Sequence, residues 1–302
     1  MKFAVTGATG TIGRAVVRAL YDRGDDVVAL SRSADRASSL LGGGVEAFTW
    51  EPVEEPAPFE AFDGCDGVVH LLGEPIAQRW TSGAKKRIVE SREIGTRNLV
   101  EGLRKSGPRM RVLVSQSAVG WYGPHGDERL DETAPSGEGF EAEVVAAWER
   151  EATAAEEIGL RVVITRTGVV LSREGGALER MLPPFKLGIG GPVGGGRQYV
   201  SWVHLDDVVG AILFCLDNDE ASGPINVTAP EPATNRELSK ALGRVLHRPA
   251  VVPVPGPALR LLYGGMASVV TTGARVLPRR LEELGYEFRR PELEAALAAS
   301  VR

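Results

Sequence analysis

Lys2-Phe3-Ala4-Val5-Thr6-Gly7-Ala8-Thr9-Gly10-Thr11-Ile12-Gly13 reads as a strand that runs through a glycine-spaced turn into a helix. Gly7 permits the tight turn, Gly10 lets backbone N–H groups approach a ligand, and Gly13 lets the helix lie close to the strand. Ile12, Val16, Ala19 and Leu20 recur at helical spacing, and Gly24 offers a left-handed stop. Val27-Val28-Ala29-Leu30 follows as an apolar run of the kind that makes a buried parallel strand. The stretch is therefore a βαβ unit, and it predicts an α/β, Rossmann-type doubly wound sheet. The helix N-terminus aims unclaimed N–H donors and a partial positive charge at an anion. The expected pyrophosphate contacts are Gly7, Thr9, Gly10, Thr11 and Ile12.

The spacing Gly-x-x-Gly-x-x-Gly, with Thr6-Gly7-Ala8-Thr9-Gly10, resembles the extended short-chain dehydrogenase/reductase superfamily. That resemblance implies a nicotinamide dinucleotide. An NAD binder ends its second strand in Asp or Glu, which holds the ribose 2′-hydroxyl. Here the strand ends Leu30-Ser31-Arg32-Ser33, without an acid. A carboxylate would repel a 2′-phosphate, whereas a guanidinium grips it with charge-assisted hydrogen bonds. Ser31 and Arg32 are accordingly expected to hold the 2′-phosphate of NADP(H).

Composition excludes several classes. Over 302 residues the chain is 43% hydrophobic and 25% charged, ordinary for a globular protein with room for a large core. The net charge is −5 and the arginines are dispersed, which argues against a nucleic-acid partner. Cys65 and Cys215 make neither a disulfide framework nor a metal-ligand pattern, so no metal is expected and a cytoplasmic location is. The first strand begins at once, which suggests no signal peptide, and no apolar run is long enough to span a membrane.

Further along, Gly67-Val68-Val69-His70-Leu71-Leu72-Gly73 reads as the third parallel strand, its carboxyl end facing the cofactor crevice. A charged helix is expected over 82–106, a buried strand over 111–117, a helix from Glu141 to Glu157 stopped by Gly159, and a strand over 161–166. Residues 175–196 are glycine-rich, with Pro183-Pro184 and Gly190-Gly191-Pro192, and read as a long substrate-facing loop. Trp202-Val203-His204-Leu205 reads as a strand, with Asp206 capping a helix to Leu216. Thr234-Asn235-Arg236-Glu237 is a capping box, and Pro278 and Pro291 open two late helices closed by Gly285 and Ala299. The expected division is a dinucleotide-binding domain over 1–167 that also receives about 200–222. A smaller α+β C-terminal lobe takes 168–199 and 223–302.

Other segments narrow the resemblance: Leu72-Gly73-Glu74-Pro75-Ile76, Arg79-Trp80, Ser91-Arg92, Ala118-Val119-Gly120-Trp121-Tyr122-Gly123, Arg166-Thr167-Gly168-Val169-Val170-Leu171-Ser172 and Trp202-Val203-His204. With these the chain resembles an atypical subfamily of the NAD(P)-dependent epimerase/dehydratase superfamily, epimerase-family proteins with a short C-terminal domain of unknown function. The resemblance covers essentially the whole chain. It implies cofactor contacts from Leu71, Leu72, Gly73, Glu74, Arg87, Arg92 and Ser115, with Val169 and Val170 packing on the nicotinamide.

Superfamily chemistry uses a Ser to orient the substrate oxygen, a Tyr to move the proton, and a Lys four residues later to lower the Tyr pKa. Ser117 fits the Ser role. Where the Tyr and Lys belong the chain has Phe140 and Val144, and no Tyr or Lys lies between Tyr122 and Lys186. Tyr122 and Glu74 are the substitute proton donors the sequence offers. The favoured function is an NADP(H)-dependent oxidoreductase or epimerase acting on a small polar molecule. The alternative is a non-catalytic NADPH-binding sensor or interaction protein. Oligomeric state is left open.

Overall fold

The computed structural model describes residues 1–301, without the side chains of Ala258 and Leu262; Arg302, the last residue assigned to the smaller lobe, lies outside the described residues. The amino-terminal half alternates strand and helix. Strand β1 (Lys2–Thr6) leads to α1 (Thr11–Asp22), β2 (Asp26–Ser31), α2 (Ala34–Leu41), β3 (Val45–Thr49), β4 (Gly67–His70), α3 (Ser82–Leu103) and β5 (Val112–Ala118). A short β6 (Arg129–Leu130), α4 (Phe140–Thr153), β7 (Arg161–Thr167) and β8 (Val169–Leu171) follow. The carboxyl-terminal half holds α5 (Gly176–Lys186), β9 (Tyr199–Val200), β10 (Trp202–His204), α6 (Leu205–Asp217), β11 (Gly223–Val227), β12 (Ala233–Thr234) and α7 (Asn235–Leu246). It closes with α8 (Gly256–Tyr263), α9 (Ala267–Thr271), β13 (Arg275–Val276), α10 (Arg279–Glu283) and α11 (Leu293–Val301).

Seven strands form one sheet in the order β11-β7-β5-β4-β1-β2-β3, every neighbouring pair parallel. Both faces are covered, so the strands read as near-continuous apolar runs. On one face Val16, Val17 and Leu20 of α1 meet Val208, Ala211 and Ile212 of α6 over Phe3, Val5 and Val69. On the other, Leu99, Val100 and Leu103 of α3 and Ala152 of α4 cover Ala4, Val28, Val68 and Leu113. From β1 the chain moves outward through β2 and β3, then returns to the opposite side of β1 at β4. Ligands of doubly wound sheets bind at this reversal, beyond the strand carboxyl ends.

Four expectations are corrected. The sequence reading passed over α2 and β3, so Gly67–His70 is the fourth strand in the chain. Only Ala37 of α2 is buried and β3 is a partly exposed edge, so neither carries a strong apolar pattern. The glycine-rich segment 175–196 contains a helix, α5, because Leu178, Leu182 and Phe185 form a buried stripe that tolerates Pro183 and Pro184 within the last turns. The cap of α6 is His204, whose Nδ1 accepts the Asp206 N–H at 3.0 Å, not Asp206. Residues 223–227, assigned to the smaller lobe, are the outermost strand of the central sheet.

The smaller lobe gathers α5, α7 and α11 around Leu171, Leu178, Phe185, Trp202, Leu242 and Leu297. Thr234 and Glu237 form the expected capping box at α7. The carboxyl-terminal segment is pinned to α6 by buried Asp207, which accepts the Arg289 N–H at 2.6 Å, the Arg290 N–H at 2.9 Å and the Tyr286 hydroxyl at 3.2 Å. Among the described residues no helix is long and apolar enough to cross a membrane.

Candidate active site

The turn between β1 and α1 is built for an anion. Gly7 adopts φ +63°, and a methyl there would sit 2.7 Å from the Leu71 carbonyl oxygen. A methyl on Gly13 would collide with the Gly7 carbonyl and the Ala8 backbone, so only glycine lets α1 lie this close to β1. Gly10 is the N-cap of α1; no side chain caps the helix and its first turn holds no acid. The donors that a Ser, Asp or Asn cap would otherwise occupy remain directed at the crevice. These features fit the pyrophosphate of a dinucleotide. Thr9, Gly10 and Ile12 keep some exposure here, while the Thr11 hydroxyl is spent on the Glu174 carbonyl at 2.8 Å. Arg14 pairs with the Glu174 carboxylate at 3.4 Å, so the segment after β8 is fastened across the start of α1.

At the end of β2, Ser31 Oγ accepts the Ser33 N–H at 3.4 Å, and the Ser33 hydroxyl caps α2 through the Arg36 N–H. Arg32 is exposed beside them, and no acid stands at the strand end. The end of β4 supplies partly exposed Leu71 and Leu72, and β8 supplies Val169 and Val170. Their apolar side chains suit the face of an aromatic ring.

The other residues expected near the cofactor hold the protein to itself. Glu74 pairs with Arg87 at 3.4 Å and accepts from Gln78 Nε2 at 3.0 Å. Arg92 donates to the carbonyls of Glu74 at 3.0 Å and Ile88 at 3.3 Å and stacks 4.9 Å from the Trp148 ring. Burial lowers its pKa to about 10. A methyl on Gly73 would lie 3.1 Å from its guanidinium carbon, so Arg92 clamps the loop that follows β4. Ser115 is fully buried on β5 and does not reach the open crevice.

Ser117 and Tyr122 belong to a closed polar network. Ser117 Oγ donates to Glu149 Oε1 at 2.5 Å, and Arg166 clasps the same carboxylate through Nε at 2.9 Å and Nη2 at 2.8 Å. Arg166 Nη1 reaches the Tyr122 oxygen at 3.2 Å, and the Tyr122 hydroxyl donates to Asn226 Oδ1 at 2.7 Å. The guanidinium also lies 3.9 Å from the Trp121 ring centroid. Ser117 and Tyr122 are 1% and 0% exposed, and burial pushes the Tyr122 phenol up to about 12. A phenol so placed neither meets a substrate nor yields a proton near neutrality, which removes Tyr122 from the proton donors. The sequence reading gives Glu149 and Asn226 no role, and Arg166 figures in it only as part of a strand and of a family segment. Their one signal is local: Glu149 falls on the Val145–Ala152 face of α4, and Arg166 interrupts an apolar strand.

Phe140 and Val144 occupy the first turns of α4. Val144 is buried, and Phe140 lies edge-on to Trp80 with centroids 4.9 Å apart. Lys85 Nζ sits 4.6 Å from the Phe140 centroid and 5.7 Å from Trp80. Glu141, the next residue of α4, is half-buried beside Gly120; burial lifts its pKa to about 7.

A family profile described as the NAD dependent epimerase/dehydratase family matches residues 3–228. The chain belongs to that family. A second profile, a domain of unknown function (DUF1731), matches residues 254–300. This segment packs against the loop after β4, with Arg79 Nη1 donating to the Leu261 carbonyl at 3.4 Å and a methyl on Gly265 lying 3.3 Å from Trp80. The epimerase family protein SDR39U1 homolog of Arabidopsis thaliana, chloroplastic, is 41% identical over 99% of this chain and 86% of its own. The mouse protein SDR39U1 is 36% identical over 98% of both. The crystal structure of human SDR39U1 (isoform 2) with NADPH superposes with a TM-score of 0.88 at 34% identity over 99% of both chains. UDP-glucuronic acid 4-epimerase of Bacillus cereus, at 17% identity and a TM-score of 0.80, shares the fold. Against that family background, this member carries Phe140 and Val144 where the sequence reading sought a Tyr-x-x-x-Lys relay.

Proposed function

We propose that this protein binds NADP(H) at the β1–α1 turn and acts as an oxidoreductase or epimerase on a small polar molecule held beyond the carboxyl edge of the sheet. The observation that carries the reading is the uncapped, acid-free start of α1 packed glycine-to-carbonyl against the β1/β4 reversal. Backbone N–H groups of Thr11 and Ile12 would receive the pyrophosphate, while the Gly10 N–H closes the turn on the Gly7 carbonyl at 3.0 Å. Arg32 and Ser31 would select the 2′-phosphate, a choice supported by the NADPH of the human relative. Leu71, Leu72, Val169 and Val170 would wall the nicotinamide, which when bound supplies two-electron hydride chemistry. Arg92 and Glu74 act earlier than any reaction, by fixing the loop that limits the crevice. Two buried free thiols, Cys65 and Cys215, suit a reducing compartment such as the cytoplasm.

The test is loss of NADPH absorbance when purified protein meets panels of aldehydes, ketones and nucleotide sugars. Turnover with at least one class is expected. Tight NADPH binding with no turnover at any pH would make the protein a non-catalytic dinucleotide binder instead.

A further inference from the structure

We infer that the Gln116 side chain holds the carboxamide of the nicotinamide ring, amide to amide. The inference rests on the dinucleotide binding just proposed and names the residue that fixes its redox-active end. Gln116 lies on β5, inside the central sheet between β4 and β7. Helices cover both faces of that sheet, and Val112, Leu113, Val114 and Ser115 before it are buried. Gln116 and Ala118 are partly exposed, and on an inner strand that exposure comes through the carboxyl edge.

Register puts Gln116 level with the anion seat. β5 pairs with β4 up to Ser115 opposite His70, and β4 pairs with β1 up to His70 opposite Thr6. The next row therefore runs Gly7, Leu71, Gln116, with Thr165 of β7 beside it. Alternation sets the face. Val112 and Val114 belong to the core under α1 and α6, and Gln116 follows at the same two-residue period. Ile12, at the start of α1, and Leu71 and Val170 pack on that same core at partial exposure. Ser117 points the other way, to Glu149 of α4. Gln116 thus shares one face of the sheet edge with the start of α1 and with β8.

The chemistry selects the ligand. Among the described residues the Gln116 amide makes no hydrogen bond. Leu71, Leu72, Val169 and Val170 offer apolar side chains at the same edge, a lining that suits an aromatic ring but leaves an amide on that ring without partners. A primary amide carries one acceptor oxygen and two N–H donors, and so does the carboxamide of nicotinamide, so each satisfies the other. Leaving either amide buried and unpaired would be costly. Gln116 is a positioning residue: by holding the carboxamide it sets which face of the ring turns toward a substrate, and it moves no proton.

Calorimetry with NADPH, NADP+ and 2′-phospho-ADP-ribose, the same dinucleotide without its nicotinamide, tests this. Gln116→Leu should weaken NADPH binding roughly 5- to 20-fold and leave 2′-phospho-ADP-ribose unchanged. The truncated ligand also reports that the variant is folded with its anion seat intact. Gln116→Glu keeps the size but places a carboxylate beside the ring, which is positively charged only when oxidised. It should shift the preference toward NADP+ over NADPH by roughly threefold or more relative to wild type. Unchanged NADPH affinity in Gln116→Leu, or an equal loss for NADPH and the truncated ligand, overturns the inference and leaves dinucleotide binding intact. An unshifted preference in Gln116→Glu does the same. Wild-type protein that binds none of the three ligands overturns the dinucleotide reading and this inference with it.

Discussion

Arg32 and Arg166 stand in opposite environments, one exposed and one buried. Arg32 stands in solvent at the end of β2, where a guanidinium fork can meet a phosphate. Arg32→Ala should weaken NADPH binding by about 10- to 100-fold and NADH binding little, because a charge-assisted contact is worth about 1.5–3 kcal/mol and only NADPH carries the 2′-phosphate. Equal losses, measured by calorimetry, would remove the assignment. Arg166 is buried and spent on Glu149, with Ser117 and Tyr122 joined to the pair. Glu149→Ala strands that guanidinium and should cost about 3–5 kcal/mol in urea unfolding, whereas Glu149→Leu with Arg166→Met should recover much of it. A small loss in the single variant would mean that water already satisfies the network. At this scale the sequence was half legible. Chain position placed Gly7, Gly10 and Arg32 through backbone geometry and charge, but it says nothing about burial. Tyr122 therefore looked available, although it is sealed in the interior.

At the scale of elements, the β1–α1–β2 unit was readable because each signal agreed: β-branched strands, a helical apolar stripe, and glycines where close approach requires them. Gly13→Ala tests the closest of these approaches. Its methyl would collide with the Gly7 carbonyl, so α1 must shift away from β1. Loss of more than tenfold in NADPH affinity together with a lower Tm is expected; unchanged affinity would show that the anion seat does not depend on this packing. The elements that escaped reading were those with mixed signals. Glycines and two prolines masked the Leu178–Leu182–Phe185 stripe of α5. Short, mostly exposed α2 and edge strand β3 offered too few buried positions to set a period. β11 joins the sheet because its Ile225 and Val227 complete the core under α6, a contact decided far from the strand itself.

For the whole molecule, stability should depend on pH through the joint between β1, β4 and α3. His70 is fully buried there, 2.7 Å from Thr6 Oγ and 2.9 Å from Thr96 Oγ1. Burial lowers its pKa from 6.5 to about 3. The unfolded chain then binds a proton that the folded one refuses. His70 thus contributes its full stability above pH 6.5 and loses it progressively as pH falls toward 3. Thermal unfolding across this window should show a falling Tm that His70→Gln flattens; equal slopes for the two proteins would assign the effect elsewhere.

The central claim is that this sheet grips a nicotinamide dinucleotide through the amino end of α1 and prefers the 2′-phosphorylated form. Titration calorimetry on ligand-stripped protein measures it directly. The account predicts one site per chain with NADPH at least tenfold tighter than NADH. No heat with either dinucleotide would contradict the claim, and a preference for NADH would contradict the role given to Arg32.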